Sequence, residues 1–271
     1  MKNFELVKHI EKLLNCENAD FEAKQLVMHA LNVDNTAFMK IRQDLVAESA
    51  KLKCEELAKR RNLGEPLYYI LGKAEFYSNE FFVGKGVLVP RDETEILVEK
   101  ALEKLKNIKN PKVLDLCAGS GAIAISIAKE RPDASVDAVE LYDEAYVYLQ
   151  KNIKHNNVKN VTAIKDDALK FVGEYDLVVS NPPYIAENEK DSLKREVLFE
   201  PKTALFADNQ GLLFYKSIAE NFKQYSNFTL MFEIGYSQSK SVSVYLAENG
   251  YQNIQTIKDY SGLDRVVISN K

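Results

Sequence analysis

The tetrapeptide Asn181-Pro182-Pro183-Tyr184, which follows the apolar run 176–180, restricts the possible chemistry more narrowly than any other stretch of this chain. Two consecutive prolines fix φ and remove two N–H donors, so the turn is stiff and its carbonyl oxygens stay available. The Asn181 side-chain oxygen and the Pro182 carbonyl can then both accept from one planar NH2 group. Tyr184 offers a flat face on which a conjugated amide or base can stack. An amide nitrogen is a poor nucleophile because its lone pair is conjugated. Acceptors drawing on its N–H bonds, and positioning in line with an electrophile, are the expected means of making it react. An ordinary strand-exit turn would also use Asn, Pro and Tyr, so the reading depends on what lies upstream.

Upstream, the run 112–116 leads into Cys117-Ala118-Gly119-Ser120-Gly121-Ala122 and then an apolar helix. In open α/β sheets, ligands bind beyond the carboxyl ends of the strands. Gly119 and Gly121 permit a tight turn and close approach of a ligand, with Ala118 and Ser120 between and beside them, and the helix start offers N–H groups to a carboxylate. Gly119, Gly121 and Ala124 also satisfy the spacing of a dinucleotide fingerprint, which leaves a nicotinamide or flavin nucleotide as an alternative ligand. Glu140, at the end of the next strand, suits two ribose hydroxyls in either case. Asp115 favours an amino-acid cofactor, because a carboxylate just before the glycine turn suits a cationic amino group. Asp167, followed by Ala168, is placed to accept an adenine amino group, although Asp after a strand is also common turn chemistry. Cys117 reads as a small apolar packing residue.

These turns need a sheet to hold them. Beyond Pro111, strand patterns at 112–116, 135–139, 161–164, 175–179 and 228–234 alternate with helical patterns at 122–129, 144–153, 212–222 and 237–247. Such alternation predicts a mostly parallel α/β sheet covered on both faces. The segments 254–257 and 265–269 predict a closing hairpin and an antiparallel edge strand. Residues 1–72 have helical spacing, as in Phe21, Leu26, Val27, Ala30 and Leu31 and then Leu45, Val46, Leu52 and Leu57, and predict a small helical bundle. Asn18 or Asp20 is expected to cap one helix, and 34–36 to break the chain before the next. Residues 73–90 are rich in aromatic and β-branched residues and predict a hairpin linking the bundle to a domain over 91–271.

The 271 residues carry 36 Lys and Arg against 40 Asp and Glu, a net charge of -4, which lacks the basic excess of a protein held by phosphate contacts. Cys16, Cys54 and Cys117 are scattered and form no metal-binding or redox pair, so no metal is expected and a reducing cytoplasm is. No signal core or spanning segment is legible. His9, His29 and His155 read as surface or satisfied groups, and Lys151, Lys154 and Lys159 as a solvated helix face.

Taken together, the residues resemble the glutamine-N5 methyltransferases of peptide-chain release factors, the PrmC/HemK family. The resemblance runs through Gly64-Glu65-Pro66-Leu67-Tyr68-Tyr69, Glu75-Phe76-Tyr77, Val89-Pro90-Arg91-Asp92-Glu93-Thr94-Glu95, the glycine turn and Asn181-Pro182-Pro183-Tyr184-Ile185. It continues through Phe199-Glu200-Pro201, Gly211-Leu212 and Glu233-Ile234-Gly235 to Asp259-Tyr260, Asp264 and Arg265, covering about residues 60–270. It implies a seven-stranded Rossmann-like methyltransferase sheet with an N-terminal helical substrate-docking domain. The cofactor it implies is S-adenosyl-L-methionine, with S-adenosyl-L-homocysteine as product. The implied target is the glutamine of the Gly-Gly-Gln motif in class I release factors, in support of translation termination.

In this resemblance Asn181 and Pro182 grip the substrate amide, and Arg91, Thr94 and Glu200 support the site. Asp92 and Glu93 depart from the family's usual proline and aspartate, and Ala168 stands where many relatives have tryptophan. A ribosomal-protein glutamine methyltransferase, a nucleic-acid exocyclic-amine methyltransferase of the N6-adenine type and a non-catalytic adaptor are the alternatives. The 90–95 stretch favours a release factor over the ribosomal protein, and the charge balance disfavours nucleic acid as direct substrate. A cytoplasmic monomer without membrane contact is expected.

Overall fold

The computed structural model describes all 271 residues. They fall into two units, Met1–Lys73 together with Lys194–Phe199, and Ala74–Leu193 together with Glu200–Lys271.

The first unit contains α1 (Asn3–Leu13), α2 (Ala19–Leu31), α3 (Asn35–Ile41), α4 (Glu48–Asn62) and α5 (Leu67–Leu71). Its core gathers Leu6, Ile10, Leu26, Val27, Phe38, Leu57 and Ile70. Asp34 caps α3 by accepting from the Ala37 N–H at 2.7 Å, and Asn32 ends α2 in the left-handed conformation. The expected cap at Asn18 is a backbone boundary only, with no side-chain hydrogen bond. Three apolar residues assigned to the buried stripe lie outside it: Phe21, Leu45 and Leu52 are exposed. Leu45 is not helical; it bridges Lys2 in extended backbone between α3 and α4. Arg61 sits between Glu22 and Glu196, both within ion-pair reach, so the 194–199 segment is fixed to the end of α4.

The second unit opens with the hairpin β1 (Lys73–Phe76) and β2 (Asn79–Phe82), which begins one residue before the unit boundary. Tyr77 and Ser78 both have positive φ, as a two-residue hairpin turn requires. The hairpin's Phe76 and Phe81 meet edge to face and belong to the core against the sheet. After it come α6 (Glu95–Leu105), β3 (Lys112–Leu116), α7 (Ala122–Glu130), β4 (Ser135–Val139), α8 (Asp143–His155), β5 (Val161–Ile164) and β6 (Leu177–Ser180). The one-turn helix α9 (Lys202–Leu205) follows, then α10 (Asp208–Gly211), a turn in which Asn209 and Gln210 are left-handed, and then α11 (Leu213–Phe222), β7 (Thr229–Glu233), α12 (Ser239–Glu248), β8 (Gln252–Lys258) and β9 (Asp264–Asn270).

The strands form one seven-stranded sheet in the order β5-β4-β3-β6-β7-β9-β8. β3 to β7 are parallel, and the closing hairpin completes one edge, with β9 antiparallel to β7 and β8 outermost. β6 is Leu-Val-Val-Ser, fully buried along its length, because helices cover both faces. One apolar layer joins α6, α7 and α8 to the sheet, and the other joins α11 and α12. The direction of strand order reverses between β3 and β6, so their carboxyl ends open the crevice in which such sheets bind ligands.

Candidate active site

Leu116 of β3 and Ser180 of β6 are paired in register. The glycine turn and the Asn-Pro-Pro-Tyr turn, more than 60 residues apart in sequence, therefore leave the sheet side by side. Ser180 Oγ ties the two strand ends together by donating to the Leu116 carbonyl at 2.6 Å.

A cavity opens above them. Of the residues singled out from sequence, Arg91, Thr94, Ala118, Gly119, Ser120, Glu140, Asp167, Ala168, Asn181 and Pro183 line it. Asp115, Gly121, Pro182, Tyr184 and Glu200 are not in its wall. The wall also includes Cys117, Val87, Leu88, Pro90, Leu141, Tyr142 and Phe214, none of which was singled out as a site residue. The signal for Cys117 in the sequence was its place directly before Ala118-Gly119 in the turn; in the structure it stands at φ +63, a backbone conformation uncommon for a side chain. Nothing local in the sequence marks Val87, Leu88 or Phe214, which reach the cavity only through the chain's path.

The turn is held from below. Asn152, buried on α8, donates to the carbonyls of Ser120 at 2.9 Å and Phe82 at 3.0 Å, joining the turn to the hairpin. Gly121 has φ +82, and a Cβ there would lie 2.6 Å from Leu149, so this glycine serves helix packing. Gly119 has φ +55 and is the opposite case: a Cβ there would meet no atom within 4 Å, because the position faces open space.

Glu140 accepts from the N–H of Gly119 through one oxygen and of Tyr142 through the other, both at 2.9 Å. Each oxygen keeps a second lone pair. Burial raises its pKa, and the backbone donors oppose the rise. Asp115 is fully buried; one oxygen accepts from the Ala124 N–H at 3.1 Å and the other has no partner. Burial pushes its carboxyl up to about 8. Asp167 accepts from the Leu169 N–H at 3.0 Å and pairs with Lys170 at 3.2 Å.

On the β6 side, Asn181 Nδ2 donates to Thr94 Oγ1 at 3.2 Å, while its Oδ1 has no partner within the chain. Pro182 is buried under the turn. Tyr184 is half-buried, and desolvation followed by the Glu233 charge pushes its hydroxyl up to about 12. Its carbonyl accepts from Gln238 Nε2 at 2.8 Å, which fixes the exit of the turn. Glu200 is buried; it accepts from the Val89 N–H at 3.1 Å and pairs with Arg91, and so anchors the strap 87–91 along the cavity.

Residues 92–236 match the family model "Methyltransferase small domain", and residues 5–72 match "PrmC N-terminal domain". A solved structure of the human Mettl16 catalytic domain in complex with an RNA hairpin superposes over 91% of both chains with a TM-score of 0.57 at 15% identity, which speaks to the fold alone. Fold and family model define the class: the chain is an enzyme that transfers methyl groups from S-adenosylmethionine.

Several proteins named "Release factor glutamine methyltransferase" match it along more than nine-tenths of their length. That of Thermodesulfovibrio yellowstonii is 38% identical, covering 92% of each chain, and that of Buchnera aphidicola subsp. Schizaphis graminum 36%, covering 99% of this chain and 98% of the relative. That of Salmonella typhimurium is 32% identical over 95% of this chain and 94% of the relative. The chain belongs to the release factor glutamine methyltransferase family. None of its helices is long and apolar enough to cross a membrane.

Proposed function

We propose that this enzyme methylates the side-chain N5 of the glutamine in the Gly-Gly-Gln motif of class I peptide-chain release factors, acting as a cytoplasmic monomer with the 1–72 region docking the protein substrate. The observation that carries this reading is the Asn181 amide: its Nδ2 is engaged by Thr94, leaving Oδ1 as an acceptor at the cavity wall. A planar amide needs such a partner, and a polar group buried without one would be costly.

Bound S-adenosylmethionine supplies an electrophilic methyl carbon on a sulfonium. The chain's residues suit the rest of that molecule. Gly119 leaves room for it, and Glu140, Asp167 and Ala168 line the same cavity, Glu140 assigned to a ribose diol and Asp167 and Ala168 to adenine. Asp115, behind the turn with one unpartnered oxygen, is an acceptor on the side where an amino group would sit; burial holds its carboxyl up at about 8, and a cation beside it would favour its ionised form. Asn181 Oδ1 would accept one amide N–H of the glutamine and the Pro182 carbonyl is assigned the other, which would hold the nitrogen in place and support the positive charge that grows on it as the N–C bond forms and the C–S bond breaks, one N–H proton then passing to solvent. Tyr184, just behind the cavity wall, is assigned the flat face for the amide.

The test is incubation with labelled S-adenosylmethionine and, separately, a release factor, its Gln→Ala loop variant, a ribosomal protein, and bulk RNA or DNA. Label on the intact release factor and not on its variant is expected. Label on another substrate would replace the target, and label on none would sink the reading.

A further inference from the structure

We infer that Glu233 is a positioning residue that, through Thr94, dictates which end of the Asn181 amide meets the substrate. The inference rests on the reading of Asn181 as the amide grip, but the relay itself stands on geometry. Glu233 ends β7, and the pairing of Ser180 with Phe232 sets it beside Asn181. Its carboxylate is buried and accepts from Thr94 Oγ1 at 2.6 Å. A threonine hydroxyl carries one proton, and here that proton points at Glu233. Thr94 can therefore show Asn181 only a lone pair, and the Asn181 atom that satisfies it is Nδ2, at 3.2 Å. The reversed amide would set oxygen against oxygen. An ionised Glu233 thus holds Oδ1 toward the cavity, where an acceptor is required.

The relay has a definite polarity, so protonation reverses it. A protonated Glu233 donates to Thr94, whose own proton is then free to turn to Asn181 Oδ1, and Nδ2 swings toward the cavity. The groups around Glu233 are Arg265 of β9, Arg91 and Glu93 ahead of α6, Tyr184 after β6 and Tyr215 of α11. Tyr215 donates to the Glu233 backbone carbonyl at 3.0 Å and leaves the carboxylate alone. Burial pushes the carboxyl up to about 7, with the Thr94 hydrogen bond and Arg265 opposing.

The experiment follows the Asn181 side-chain amide by nitrogen NMR in substrate-free protein, with the resonance assigned by its loss in Asn181→Ala. In the unmodified protein the Nδ2 signal should shift with a midpoint near pH 7. In Glu233→Gln, which keeps shape and removes the titrating charge, that shift should vanish; Thr94→Ser should retain it and Thr94→Val should abolish it. In the methylation assay Thr94→Val should lower kcat about 10-fold to 100-fold, as expected for a misoriented reacting group, with cofactor affinity unmoved. A flat Asn181 signal in the unmodified protein, or one that still titrates in Glu233→Gln, overturns the inference. A titrating signal with no methylation of release factor leaves the relay standing and removes the proposed substrate instead.

Discussion

At the scale of single residues, the proposed function assigns binding to one side of the cavity and chemistry to the other. Asn181→Ala removes the acceptor proposed to act on the reacting amide and leaves the glycine turn untouched. Turnover should fall on the order of 100-fold or more, by analogy with loss of a preorganised contact, with cofactor affinity nearly unchanged in titration calorimetry. Near-normal turnover would contradict the assignment. Gly119 gives the converse case. Because a Cβ there meets only open space, Gly119→Val should abolish cofactor binding through the side chain's own bulk, and Gly119→Ala should weaken it less. Equal binding by all three proteins would show that the ligand lies elsewhere.

At the scale of elements, the site is a junction of strand ends held by short contacts from neighbouring segments. Asn152 reaches from α8 to the glycine turn, Gln238 reaches from the start of α12 to Tyr184, and the 202–211 segment brackets Ile185 through hydrogen bonds to Leu205 and Ala207. Gly211 shows how tight this junction is: it has φ +80, and a Cβ would stand 2.0 Å from the Tyr184 carbonyl oxygen, a backbone atom that cannot step aside cheaply. Gly211→Ala should therefore destabilise the protein by more than about 1 kcal/mol and lower kcat together with thermal midpoint. A variant with normal midpoint and turnover would show that this backbone is not rigid.

At the scale of the whole molecule, two buried carboxyls make stability depend on pH. The folded state raises Asp115 to about 8 and Glu233 to about 7, whereas unfolded carboxyls titrate near about 4. The folded protein therefore binds more protons than the unfolded chain between these limits, and stability must fall as pH rises through that window. In cofactor-free protein, the thermal midpoint of Asp115→Asn should fall less between pH 5 and pH 8 than that of the unmodified chain, and Glu233→Gln should flatten the part below about pH 7. Parallel curves for all three would mean that neither carboxyl is protonated in the fold. Retaining two such groups beside the cavity is consistent with a functional rather than a structural reason for their burial.

The α/β alternation, the bounds of β3, β4 and β5, the glycine turn and the Asn-Pro-Pro-Tyr turn were all legible in the chain, because period-2 and period-3.6 patterns and proline and glycine chemistry are local. The sequence also marked Gly119, Glu140 and Asn181 as members of one site, and it identified the family on motifs spread along the chain. Tertiary structure alone decided which of those residues face the cavity. Asp115 and Gly121 lie behind the turn because the strand's alternation and the packing of α8 turn them away. Leu45 and Phe21 proved exposed because an apolar residue at helical spacing is buried only if a neighbouring element covers it. The antiparallel β9 slipped between β7 and β8, since pairing order depends on the path of the connections and not on any strand's own pattern. The Glu233, Thr94 and Asn181 relay joins positions 139 and 87 residues apart; the registered pairing of β6 with β7 sets Glu233 beside Asn181, and the 92–94 turn ahead of α6 brings Thr94 to both.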